Sequence, residues 1–342
     1  MNRILPVRSK SRLARLPGMA LLALACGSAG PGGAAPYAYI TNQGSHDVSV
    51  IDGASLQVVD RPAVGRSPAG IAVSAASGKA FVSNPDSATV SVIELATRKT
   101  VATLEVDGSP VGIATAPDGS RLYVADWYGN RLRVFATDDY RPLASIAVGR
   151  APAGVVVAAD GGTVFVANRD DDNVSVIDAR RLEATATLPA GSHPFALGLS
   201  PSGRQLLALN VQSDDVTVID LASGRALATL AVGRAPYGVA FDATGRRAFV
   251  TNQQADSLSV LDLERLEVVA TWPTTAYPEG IAYERVAGGD NGRLWVVSWM
   301  EDKVVLHDAA SGRALASVPV GSNPRSFGAF LTGGAPAPQA LP

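Results

Sequence analysis

The sequence predicts an all-β protein, a seven-bladed β-propeller of four-stranded antiparallel blades closed by pairing the C-terminal strand with the N-terminal blade. Three observations predict it. A four-residue frame, YITN at 39–42, recurs as FVSN (81–84), YVAD (123–126), FVAN (165–168), LALN (207–210) and FVTN (249–252), each step being 42 residues. A seventh copy, WVVS (295–298), follows after 46, and the extra residues fall in the turn-forming AGGDNG (287–292). A proline keeps the same beat at Pro68, Pro110, Pro152, Pro194, Pro236, Pro278 and Pro324. Units of this length cannot bury their apolar faces alone and must pack on their neighbours.

Each unit carries four strand signals. In the fourth, GVVVA (154–158) is followed by a Gly/Asp turn, then TVFVAN, the turn RDDDN, NVSVIDA, the turn RRLE, and ATATLPAG. Short runs of Val, Ile and Thr between Gly/Asp turns are antiparallel strands in a meander, and four of them per 42 residues is the beat of a propeller blade. The chain's 34 glycines and 22 prolines fit so many tight turns. Gly and Ala before the aliphatic run, as in AGIA, let the inner strand lie close to its neighbours. The first unit begins at PYAYITN without an opening strand, and the chain ends with NPRSFGAF (323–330), an opening strand with no blade after it. Joining the two leaves no open sheet edge around the ring. It is expected to bring Phe327 against Tyr39 and Val50, leaving 331–342 as a loose tail. A solenoid would instead need capping repeats and no complementary half-unit.

The N-terminus reads as an address. Arg3, Arg8, Lys10, Arg12 and Arg15 precede the apolar LPGMALLALA (16–25), a signal-peptide pattern too short to span a bilayer. Ala23-Leu24-Ala25 fits ordinary cleavage, and Cys26, the sole cysteine, sits where a bacterial lipoprotein would be lipidated. Residues 26–36 then form a flexible tether, and 37–330 the propeller. We therefore expect export, to the periplasm or to a lipid anchor on the cell envelope. One cysteine allows no intrachain disulfide. Without residues 1–25 the net charge falls from −2 to roughly −7, which gives no global attraction to nucleic acid or anionic lipid. A monomer is expected.

The FVTN, YITN and FVAN frames, with VSVID and VGRAPYGVAF, resemble the YVTN-repeat family of seven-bladed propellers, exported bacterial and archaeal proteins. The resemblance covers about 36–330. It implies the fold and not an activity, because relatives in the wider superfamily include haem-d1 propellers and lactonase-type propellers.

RDDDN, with three successive aspartates, has the look of a cation loop, but it lies between the second and third strands of blade four. Equivalent turns are equally polar, and Asp172, Asp214, Asp256 and Asp302 recur at one position, which predicts a hairpin-stabilising Asx role. No glycine-hinged ligand ladder with a closing Glu surrounds it.

Departures from the repeat are more informative. After the frame proline stand Ala69, Val111, Ala153, Phe195, Tyr237, Glu279 and Arg325, and two residues before it Arg66, Arg150 and Arg234. A binding face is expected from these four arginines with His193, Phe195, Tyr237, Glu279 and the aromatics Trp127, Tyr128 and Trp299. Guanidinium groups would hold an anion and the rings would stack on it. Three scattered histidines make a zinc site weak, and the absence of CxxCH excludes a c-type haem. His46 or His193 would have to serve any d1-type haem, while His307 reads as a packed strand residue. There is no GxSxG elbow, P-loop or dinucleotide fingerprint. The preferred reading is a non-catalytic envelope module, without a cofactor, that binds a protein, peptide or small molecule. The alternative is a lactonase-like hydrolase using Glu279 and Arg325, or a haem- or quinone-associated redox accessory.

Overall fold

The computed structural model describes residues 35–286 and 292–333. The signal segment, Cys26 and residues 334–342, for which the sequence raised expectations, lie outside them. The described residues form seven sheets, one per repeat and antiparallel but for a single parallel pairing, and only two short 3-10 turns, Pro85–Ser87 and Arg169–Asp171. None of their helices is long and apolar enough to cross a membrane.

Blade four shows the pattern: Pro152–Val157 is innermost, followed outward by Thr163–Asn168, Asn173–Asp178 and Glu183–Pro189. The second strands are buried along almost their whole length. Neighbouring blades cover both of their faces, which is why they read as unbroken Val, Leu and Phe rather than as alternation. Phe165 and Ala167 of blade four, for example, share one apolar cluster with Leu206 and Ala208 of blade five. Fourth strands are ring edges, largely exposed.

The inner strands approach one another through backbone. A Cβ on Gly112 would fall 1.8 Å from the carbonyl oxygen of Ala153 in the next blade, and one on Gly70 would fall 2.4 Å from that of Val111. Side chains are excluded there by geometry.

Closure follows the expected route with one difference. Segment 323–332 runs antiparallel to Tyr37–Asn42, with bridges Asn42↔Pro324 and Ala38↔Leu331. Its middle, Phe327–Ala329, leaves that partner and pairs in parallel with Gly70–Ser74, the inner strand of blade two. Phe330 accordingly fills the place expected of Phe327 beside Tyr39 and Val50, while Phe327 turns to the hub among Ala196 and Tyr237. Register shifts between Pro110 and Ile113 and between Pro152 and Val155 show the same bulge in ordinary inner strands, so the closing strand obeys the repeat. Pairing also runs past Phe330: Leu331 is buried and the Thr332 N–H donates to the Tyr37 carbonyl at 2.9 Å.

The frame asparagines are buried and tie the middle strands together. Asn84 Nδ2 donates to Thr89 Oγ1 and Ser91 Oγ at 3.1 and 3.0 Å, and Asn252 Nδ2 to Ser257 and Ser259 at 3.0 Å each. Blade three replaces this pair by Asp126 and Arg133, an ion pair at 3.2 Å.

Candidate functional site

Two faces follow from the direction of the inner strands. Loops leading into each frame proline, together with the turns between second and third strands, form the upper face. Turns after the inner strands form the lower one.

The upper loops are fastened blade to blade. Asp172, Asp214, Asp256 and Asp302 all adopt left-handed φ between 48° and 56°. Their carboxylates accept the backbone N–H of His193, Ala235, Tyr277 and Asn323 at 2.7–2.8 Å. The recurring aspartate is thus an Asx residue, but it holds the loop into the next blade rather than its own hairpin. Asn130 and His46 do the same for Ala151 and Ser67. Within RDDDN the three carboxylates diverge: Asp170 bonds Arg169, Asp171 bonds Arg150, and Asp172 takes the His193 N–H. Among the described residues no group of three His, Cys, Asp or Glu is placed to share a metal ion.

Five of the proposed site residues meet at the upper mouth of the hub. Arg325 Nε donates to Glu279 Oε2 at 2.8 Å and Arg325 Nη2 to the Tyr237 hydroxyl at 2.5 Å, while Gln253 Nε2 donates to Glu279 Oε1 at 2.8 Å. Tyr237 stacks on Phe195 with centroids 4.8 Å apart, and Trp127 tilts against Phe195 at 6.1 Å, with Arg169 over its ring. The Glu279 side chain is 2% exposed and that of Arg325 23%. Burial pushes the Glu279 carboxyl up from its usual range, opposed by the Arg325 charge and the Gln253 amide. Burial raises the Tyr237 phenol as well, against the pull of Arg325. The sequence missed Gln253, which sits in a turn rich in glutamine and gave no signal.

The others stand apart from this cluster. Arg66, Arg150 and Arg234 each donate Nη2 to a backbone carbonyl of the second turn of their own blade, at Asp86, Asp170 and Gln254, over 2.6–2.7 Å. They fasten loops, with exposed guanidinium groups. Trp299 tilts against Tyr277 at 5.4 Å and donates to Gln43, and Tyr128 is 80% exposed. His193 Nδ1 lies 3.1 Å from Ser192 Oγ and Nε2 lies 3.8 Å from Asp170. This row of Ser, His and Asp is not a catalytic triad, since Asp170 is beyond hydrogen-bond reach and is held by Arg169 at 2.6 Å. His46 Nδ1 accepts the Ser67 N–H at 3.1 Å. His307 is buried between Thr274 and the Gly312 carbonyl, and burial lowers its pKa.

The lower half of the hub contains a cavity of about 590 Å³. No sequence feature pointed to it.

The pattern of the family described as YNCE-like beta-propeller matches residues 156–246. Among curated proteins none matches the chain. Solved structures are similar over most of the chain. Hydrazine synthase of Kuenenia stuttgartiensis is 22% identical with a TM-score of 0.70, over 76% of this chain and 88% of that one. The dihydro-heme d1 dehydrogenase NirN, solved in complex with DHE, is 15% identical with a TM-score of 0.62, over 85% and 74%. A functionally unknown protein from Desulfotomaculum acetoxidans DSM 771 is 11% identical with a TM-score of 0.73, over 85% and 99%. At these identities the likeness is one of fold. The chain is a seven-bladed β-propeller, similar over its central repeats to the YNCE-like propellers.

Proposed function

We propose that the protein is a non-catalytic binding propeller of the cell envelope that recognises a small molecule, peptide or protein at the upper mouth of its hub. The observation that carries this reading is the mutual satisfaction of the titratable groups there. Glu279 commits one oxygen to Arg325 and the other to Gln253, and Tyr237 accepts from Arg325. A general base needs an oxygen free to meet the substrate's proton, and both Glu279 oxygens are already engaged. What the upper-face loops around the mouth offer is aromatic and thioether surface, with Tyr128 80% and Met300 59% exposed next to Trp127 and Trp299 in the chain. Large side chains held open on rigid loops favour recognition.

Two experiments test the reading. A panel of lactone and ester substrates should show no turnover that Glu279→Gln removes; a wild-type rate lost in that variant would overturn it. In a thermal-shift screen of peptides and metabolites, a ligand that binds the native state raises the melting temperature, and Tyr128→Ser or Trp299→Ala should reduce that rise. Export is supported by the basic and apolar run through residue 25. Cell fractionation checks it, and loss of fatty-acid labelling in Cys26→Ser would assign the anchor.

A further inference from the structure

The cavity in the lower half of the hub differs in chemistry from everything above it. Its volume is about 590 Å³, and the inner strands of blades two to seven together with the closing segment 327–333 all contribute wall. The Phe327 ring bounds it from above, packed on Phe195 and Tyr237 with centroids 5.0 and 5.7 Å away. Val157, Leu199, Phe241 and Tyr283 continue the wall, and Pro117 and Pro201 stand where the inner strands end.

None of the 33 residues around the cavity is Asp, Glu, Lys, Arg or His, although charged residues make up 18% of the chain. By composition alone roughly six would be expected, and the same strands carry Glu279 and Arg325 a few residues above. The few hydroxyls are partly engaged: Ser200 bonds Ser202 and the Gln205 N–H, and Thr332 accepts the Tyr37 N–H.

We propose that this cavity is a binding site for an uncharged, largely hydrocarbon small molecule. A charged ligand would leave water for a wall without a counter-charge, at a net loss. An apolar one gains by every contact. The volume falls in the range of small-molecule sites, roughly 300–1,000 Å³. The site faces away from the aromatic upper loops, so it stands or falls independently of the function proposed for them.

Nile red, neutral and brighter in apolar surroundings, is the probe. Titrated into the full chain, it should bind with one site per chain and a Kd on the order of micromolar. Leu199→Glu sets a carboxylate in the wall and should weaken binding at least tenfold. Thr115→Leu, a mild change that makes the wall more apolar, should tighten it several-fold and decides the matter if the first variant does not fold. Val101→Glu, on the exposed outer strand of blade two, should leave the dye's affinity unchanged. A folded wild-type protein that does not take up the dye overturns the proposal. So does an affinity that Leu199→Glu and Thr115→Leu leave untouched, or one that follows Val101→Glu, which would mean adhesion to the outer surface.

Discussion

The upper and lower halves of the hub are made by the same inner strands and are opposite in character. Above Phe327 the channel is filled by Phe195, Tyr237, Glu279 and Arg325, joined by stacking and ion pairing. Below it lies the open cavity without a charge on its wall. The upper half is made by departures from the repeat, because the position after the proline changes from Ala69, Val111 and Ala153 in three blades to large or charged residues in the others. The lower half is made by adherence to the repeat, since aliphatic positions arranged around an axis enclose an apolar space that no single one of them announces.

Removing the ring between the halves should have the largest effect. Phe327→Ala is expected to lower stability by about 3–5 kcal/mol, read from a denaturant midpoint. An unchanged midpoint would mean that the two halves are not held apart by this side chain. Glu279→Gln comes next. It strands the Arg325 charge, and because that side chain keeps some water contact the loss should be about 2–3 kcal/mol, at or below the range for fully buried pairs. Glu279→Leu combined with Arg325→Met should recover much of it. The surface pair Arg246–Glu264, 2.9 Å apart with both side chains 61% exposed, supplies the contrast: Glu264→Gln should cost at most about 0.5 kcal/mol.

Acid should separate the halves more gently. The Thr275 hydroxyl, with the Ala276 N–H and Lys303, holds Glu301 down to about 2 from its ordinary 4.5. A depressed carboxyl adds stability above its unfolded pKa and loses it as the pH falls toward the folded one. Between pH 4.5 and about 2 the Thr275–Tyr277 loop on the upper face should therefore lose hydrogen-exchange protection. The lower wall, whose one acid–base side chain is Tyr283, should keep its protection. Smallest of all, Arg150→Ala should leave the denaturant midpoint unchanged within error, since the guanidinium group that pairs with Asp171 lies in water.

Blade number, strand order and ring closure were legible in the sequence because one period of 42 fixes them all. Contact between Glu279 and Arg325 was legible too, from equivalent positions in adjacent units. The three loop arginines looked like a ligand ring because sequence gives a residue's position in a repeat but not the carbonyl it turns toward. Phe327 was assigned to the wrong side, since the bulge that sends it to the hub appears in the sequence only as one more Phe in a strand. The cavity was invisible for a different reason: a search for irregularity passes over what regularity builds.

Segment 323–332 has a consequence for synthesis. The residues that complete blade one leave the ribosome nearly 300 residues after Tyr37–Asn42, which they pair with. Sheets two to seven can assemble in order as they emerge, but the first must wait with an unpaired edge until segment 323–332 has been made. A chain cut short before Pro324 would have no means of joining its two ends, so a prematurely terminated product should stay recognisably unfinished to the proteases that clear such chains.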